Sequence, residues 1–145
     1  MKLNAKKLND RAHIPSYGSL NAAGADLYAL LDEKLTINAG ETVLVHTGIA
    51  LAIPDGYVGL IYARSSLACK RNLAPANKVG VIDSDYRGEI MVALHNHGNV
   101  SQEIEDGERI AQLVIAPYVT AEFSLVDELD DTLRGSGGFG STGKM

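Results

Sequence analysis

Apolar residues along this chain fall in short runs divided by turn-forming residues. The runs are 25–30, 34–37, 42–48, 49–53, 57–63, 78–82, 89–96, 100–104 and 109–116. Between them lie Asn-Ala-Gly-Glu at 38–41, Pro-Asp-Gly at 54–56, Asp-Ser-Asp-Tyr-Arg-Gly at 83–88 and His-Gly-Asn at 97–99. Pro54-Asp55-Gly56 has a turn mechanism, because Pro presets φ and Gly supplies a positive φ. Many short strands at this spacing predict an all-β fold, a jelly-roll-like barrel or sandwich. Helical periodicity is confined to Ser65–Arg71, a turn or two.

Several runs are apolar on both faces. Between Ile110 and Ile115 only Gln112 is polar, and from Glu89 to Leu94 only the first residue is. An antiparallel sheet with one wet face alternates apolar and polar residues. A domain of this size cannot cover both faces of such strands alone, so the pattern predicts an oligomer. The final stretch, RGSGGFGSTGKM, holds five glycines in twelve residues and has no core-forming pattern. It reads as a mobile tail, 134–145, attached to one β domain, 1–133.

The chain has 145 residues, enough for one domain. Lys plus Arg is 13 against 18 for Asp plus Glu, a net charge of −5. An acidic surface disfavours non-specific binding to nucleic acid or to a membrane surface. No apolar run nears the ~20 residues that span a bilayer. The N-terminal MKLNAKKLND is basic but leads into no apolar stretch, so it lacks the pattern of a secretory signal. The single cysteine, Cys69, excludes an internal disulfide and any multi-cysteine metal site, and reads as a buried structural thiol. These features describe a soluble, cytoplasmic protein.

Glycine-rich matches in the tail are decoys. Gly135, Gly137 and Gly140 fit G-x-G-x-x-G, but no strand precedes them and no helix follows. Gly138 to Lys144 fits most of a Walker A loop, but Met145 stands where Ser or Thr is required. The composition still suits closure over a phosphate chain: backbone N–H groups on a Gly-rich strip, Arg134, and hydroxyls. Phe139, alone among glycines, suits stacking on a base. His95 and His97 sit at i, i+2 on one strand face, without a third ligand at motif spacing, and read as edge or turn histidines.

Two blocks carry more chemistry. In Ile82-Asp83-Ser84-Asp85-Tyr86-Arg87-Gly88 an apolar strand runs into two carboxylates, a phenol and a cation. Asp83 directly after VGVI is expected at the end of a buried strand, where burial would raise its pKa and suit it to act as a general base. An ordinary Asp-rich turn is the alternative. Arg64-Ser65-Ser66 follows a strand and opens the helical segment, which combines a guanidinium with hydroxyls for anion binding, or simply provides a Ser cap.

Five ordered blocks then complete a pattern: AAGADLYA at 22–29, ARSSLA at 63–68, VGVIDSDYRGEI at 79–90, GERIAQLVI at 107–115 and RGSGGFGSTG at 134–143. Together they resemble the trimeric deoxyuridine triphosphatases (dUTPases) over nearly the whole chain. Ala63 stands where that family more often has Pro, which alters the stiffness of the turn and removes no functional group.

The resemblance implies a homotrimer that hydrolyses dUTP to dUMP and pyrophosphate, clearing dUTP and supplying dUMP for thymidylate synthesis. It gives Asp83 the role of activating water toward the α-phosphorus, and Asp26 that of holding Mg²⁺ through water. Arg64, Ser65, Ser66 and Gln112 would bind phosphates. Asn77, with the backbone of Val81 and Asp83 and with Ile82 between them, would read the uracil edge. Tyr86 would pack under the deoxyribose with Met91 close by. Arg134 would reach the γ-phosphate and Phe139 would cover the uracil, with Gly140 and Ser141 as further contacts, all from a neighbouring subunit's tail. Arg109 reads as a structural or interface cation. A dCTP deaminase shares this fold, but the 83–88 block and the aromatic tail favour dUTPase. A silent nucleotide-binding trimer would have no need of Asp83, Asp26 and the tail together.

Overall fold

The computed structural model describes residues 1–138. Twelve strands and one helix succeed one another: β1 (Asn4–Lys7), β2 (Ser16–Tyr17), β3 (Ala25–Tyr28), β4 (Leu35–Ile37), β5 (Thr42–His46), β6 (Ile49–Ala52), β7 (Tyr57–Ala63), α1 (Ser65–Arg71), β8 (Leu73–Pro75), β9 (Gly80–Ile82), β10 (Met91–Asn96), β11 (Gln102–Ile104) and β12 (Arg109–Pro117). The fold is all-β with one short helix, as the apolar runs predict.

A five-stranded sheet of order β2-β3-β12-β7-β9 positions most of the residues of interest. Its centre is β12, paired antiparallel to β7 from Ala111↔Ala63 to Pro117↔Tyr57 and, on its other side, to β3. The turn into β7 is the Pro54–Gly56 turn, with Gly56 at φ +81 and Tyr57 N–H donating to Pro54 O at 3.1 Å. Three smaller sheets, β1-β6, β5-β10-β8 and β4-β11, pack around the same core, and the four sheets do not join into one closed barrel. Leu27, Ile37, Ile49, Leu73, Ile90, Leu94, Ile104 and Ile110 form the fully buried interior. Asn96 is buried among them with its hydrogen bonds met: Nδ2 donates to Ile37 O and Val100 O, and Oδ1 accepts from Gly98 N–H. Such pairing removes the penalty of burying an amide.

β1 pairs with β6 although all four of its side chains are exposed, so its apolar pattern carries no signal. β8 ends in Pro75 and lies at a sheet edge, where a missing N–H is tolerated. In α1 the N-cap position is Arg64, not a serine, and no side chain caps the first turn. Its C-terminus closes on Asn72 in the left-handed conformation, with Lys70 and Arg71 in the last turn, where cations suit the helix dipole.

The doubly apolar strands are only partly covered in the single chain. In β10, Val92, Leu94 and Asn96 are buried while Met91, Ala93 and His95 are half-buried. The strands end at Pro117, and residues 118–136 are exposed and without helix or strand, well before the glycine-rich stretch begins. Leu94→Ala, at a position with no exposed surface, is expected to destabilise the fold by about 2–5 kcal/mol, measurable by urea unfolding.

Candidate functional site

Asp26 on β3 is buried and surrounded by donors. Its Oδ1 accepts from Arg64 Nε at 2.8 Å and from Gln112 Nε2 at 3.4 Å, and its Oδ2 accepts from Arg109 Nη1 at 3.2 Å. The backbone explains the convergence. Gln112 lies directly across from Asp26, and Arg109 across from Tyr28, with a register shift between Arg109 and Ala111. Three residues along a regular strand would put Arg109 and Gln112 on opposite faces. The extra residue, Ile110, reverses that parity, as a β-bulge does. Arg64 follows the end of β7, the other neighbour of β12, and its Nη1 donates to Ser66 Oγ at 3.4 Å.

One carboxylate is thus held by two guanidiniums, which leaves a positive excess beside the exposed hydroxyls of Ser65 and Ser66. Such a shelf suits phosphate oxygens. Among the described residues no three His, Cys, Asp or Glu side chains gather into a metal cage. Any divalent ion here would need ligands from a bound phosphate chain, with Asp26 reaching it through water. Oδ2, which has a single donor, keeps an acceptor position for that.

A second group forms a cleft of about 210 Å³ between β9 and β10. Val81, Ile82, Asp83, Tyr86 and Met91 line it together. Asn77 is not among the lining residues; its Nδ2 lies close to Gly80 at the start of β9. The Tyr86 hydroxyl donates to Glu89 O at 2.9 Å, and Arg87 Nη1 braces the loop by donating to Ser84 O and Tyr86 O. The expected burial of Asp83 is not found: the residue is exposed. β9 is an edge strand, paired only to β7, and Val81 is 61% exposed, so an apolar run here does not lead into an interior.

The two groups stand apart. Ile82 pairs with Gly59 on β7, so Asp83 lies about six residues from Arg64 along that strand, roughly 20 Å at the usual rise per residue. Arg134 meets neither group: its Nε donates to Gly137 O at 2.9 Å within its own segment. Phe139, Gly140 and Ser141 lie outside the described residues. His95 and His97 do share one side, with rings 4.3 Å apart edge-on and His95 Nδ1 bonded to Thr42 Oγ1.

Glu89 was not singled out by sequence reasoning. Its Oε1 accepts from Gly48 N–H at 2.7 Å, and its Oε2 accepts from His46 Nδ1 at 2.9 Å. The only signal was a lone carboxylate opening an otherwise apolar run. Burial pushes its pKa up, but the bonds from His46 and from Gly48 N–H outweigh that and hold it below the usual 4.5. A lowered folded-state value supplies stability that is present above 4.5 and lost as the pH falls below it. Glu89→Gln is therefore expected to flatten the fall in unfolding free energy between about pH 5 and pH 3, measured by denaturant titration at each pH.

Comparison with known proteins bears on the chain as a whole. The family model described as dUTPase matches residues 10–143. The deoxyuridine 5'-triphosphate nucleotidohydrolase of Acinetobacter baumannii is 49% identical, with all of both chains covered. That of Desulfitobacterium hafniense is 54% identical over 90% of this chain and 87% of its own. A solved structure of a point mutant of Staphylococcus bacteriophage 80alpha dUTPase with dUpNHpp superposes with a TM-score of 0.90 at 30% identity, covering 99% of each chain. By family match, by identity over the full chain and by fold, the chain belongs to the dUTPase family.

Proposed function

We propose that this chain hydrolyses dUTP to dUMP and pyrophosphate at a site built between copies of itself in a homotrimer. The observation that carries the reading is the separation of its two polar groups. A general base must stand within about 2.6–3.2 Å of the proton it takes, or one water away. Asp83, roughly 20 Å along the sheet from Arg64, cannot serve phosphates held at Arg64 and Gln112 of its own chain. Set beside the shelf of a second copy, it can. The uncovered apolar surface supports such assembly: Leu44 and Val81 are more than half exposed, and in the C-terminal segment Val119, Phe123, Leu125 and Leu133 are almost wholly so.

In this reading Arg64, Ser65, Ser66 and Gln112 hold the phosphate chain, while Asp26 keeps the two arginines in place. Mg²⁺, where bound by the triphosphate and reached by Asp26 through water, would supply charge neutralisation on the phosphate oxygens. The cleft of the neighbouring copy takes the nucleoside. Asn77 and the backbone of Val81 and Asp83 read the uracil edge, with Ile82 and Met91 beside them, and Tyr86 lies under the deoxyribose, leaving no room for a 2′-hydroxyl. Asp83 takes a proton from the water that attacks the α-phosphorus, and the pyrophosphate leaves. The tail of a further copy brings Arg134 to the γ-phosphate and Phe139, Gly140 and Ser141 over the base, excluding water and strengthening each phosphate contact. The one cysteine, Cys69, is exposed on α1 rather than buried as expected, and its free thiol fits a cytoplasmic setting.

Pyrophosphate release with Mg²⁺, measured for dUTP beside UTP, dTTP and dCTP, tests the reading. Release from dUTP alone is expected, and Asp83→Asn is expected to lower kcat by about 10²–10⁴. Ammonia released from dCTP would place the chain with the deaminases instead. Removal of residues 134–145 should leave the melting temperature unchanged and greatly reduce turnover; unchanged turnover would remove the tail from the mechanism.

A further inference from the structure

The loop that carries Asp83 and Tyr86 closes on itself through Tyr86 N–H to Asp83 O and through the Arg87 guanidinium. Those bonds give the loop a shape but do not attach it to the body of the protein. Its N-terminal end follows Ile82, paired to Gly59 of β7, and its C-terminal end is attached from Glu89 onward. The two carboxylate oxygens of Glu89, one on Gly48 N–H and one on His46 Nδ1, reach the turn between β5 and β6. The turn is a firm anchor. Gly48 takes φ +67, and a methyl group there would run into Leu30 and Ala12 at 2.7 and 2.8 Å. Thr47 Oγ1 donates to Ile90 O at 2.6 Å, Ile90 N–H to Ile49 O at 2.8 Å, and Leu8 N–H to Gly48 O at 2.8 Å.

The main chain of Glu89 has a second task. Its carbonyl oxygen receives the Tyr86 hydroxyl, and the ring lies over Gly88 so closely that any side chain at 88 would collide with it. The direction of the Tyr86 ring therefore follows from where the Glu89 carbonyl stands. That in turn depends on the two bonds of its carboxylate, which is only 22% exposed. Glu89 also lines both the nucleoside cleft and the adjoining polar hollow around His46, Arg11 and Asp32, and so forms the wall between them.

We propose that Glu89 is a positioning residue of the nucleoside cleft, tying the 83–88 loop to the 46–48 turn and so fixing Tyr86 against the sugar. The inference rests on the reading of Tyr86 as the ring beneath the deoxyribose. Its signature is a selective one: a loosened Tyr86 weakens binding and sugar discrimination more than it slows the chemical step, because Asp83, at the other end of the loop, follows Ile82, which is paired to Gly59 of β7.

Steady-state kinetics with dUTP and UTP on the full-length wild type and on Tyr86→Ala, Glu89→Ala, Glu89→Gln and His46→Ala test this. Glu89→Ala is expected to raise KM for dUTP about tenfold, less than the ~100-fold that a 1 Å misplacement can cost. Its preference for dUTP over UTP should fall by about the same factor, with kcat within about threefold of wild type. Glu89→Gln should restore both to within about threefold, since its oxygen still accepts from Gly48 N–H and its amide can donate to neutral His46. A folded Glu89→Ala with wild-type KM and preference overturns the proposal, as does one that loses kcat alone. Should Glu89→Ala not fold, His46→Ala decides, because that side chain is 57% exposed: a raised KM with weakened preference supports the tie, and unchanged values overturn it. Tyr86→Ala separates the two levels. If it keeps full sugar preference, the sugar-facing reading falls and the proposal with it. If it loses preference while Glu89→Ala keeps it, the proposal falls alone.

Discussion

The register of β12 between β3 and β7 is the constraint from which the rest of the molecule follows. A slip of one residue would turn every β12 side chain to the other face, taking Ile110, Ala111 and Leu113 out of the interior and Gln112 away from Asp26. With the register held, the bulge at Ile110 adds Arg109 to the same side, and the end of β7 adds Arg64. The charged cluster is thus a product of sheet geometry before it is a product of any ligand. Its buried carboxylate is tolerable because two guanidiniums and an amide reach it; an unpaired carboxylate at that depth would be strongly disfavoured.

The same sheet also determines where the other polar group falls. β7 runs from the cleft end to the cluster end, and β9 binds its free edge antiparallel. Asp83, emerging from the far end of β9, is carried away from Arg64 by the direction of pairing alone. A single chain therefore holds the two groups apart, as the proposed shared site requires. The edge position of β9, which sets this separation, also leaves Val81 and Asp83 uncovered.

Much of this was legible in the order of residues. Runs bounded by Gly, Pro, Asn and Asp gave most strands, because a half-buried pleat needs apolar residues and a reversal needs those turn-formers. Ser65–Arg71 was read correctly as the helix. β1, β2 and β8 were not legible: four exposed residues, a two-residue bridge and a strand ending in Pro75 have no periodic signal, and tertiary pairing alone makes them strands. Asp83 was placed among site residues while its burial was misjudged, since VGVI reads alike whether its strand lies at the centre or at an edge. Glu89 escaped notice because its partners, His46 and Gly48, lie about forty residues away and share no motif with it.

The exposed segment 118–133 has a consequence for the newly made chain. Val119, Phe123, Leu125, Val126, Leu129 and Leu133 stand in water there, and a strip of that kind invites association with whatever apolar surface it meets first. Glu122, Asp127, Glu128, Asp130 and Asp131 are interspersed through it with no Lys or Arg among them. Two such strips carry like charge and repel each other, so random clumping of unassembled chains is opposed while docking onto a neutral or basic groove is not. The acidic residues thus oppose self-association of a segment whose apolar side chains would otherwise promote it.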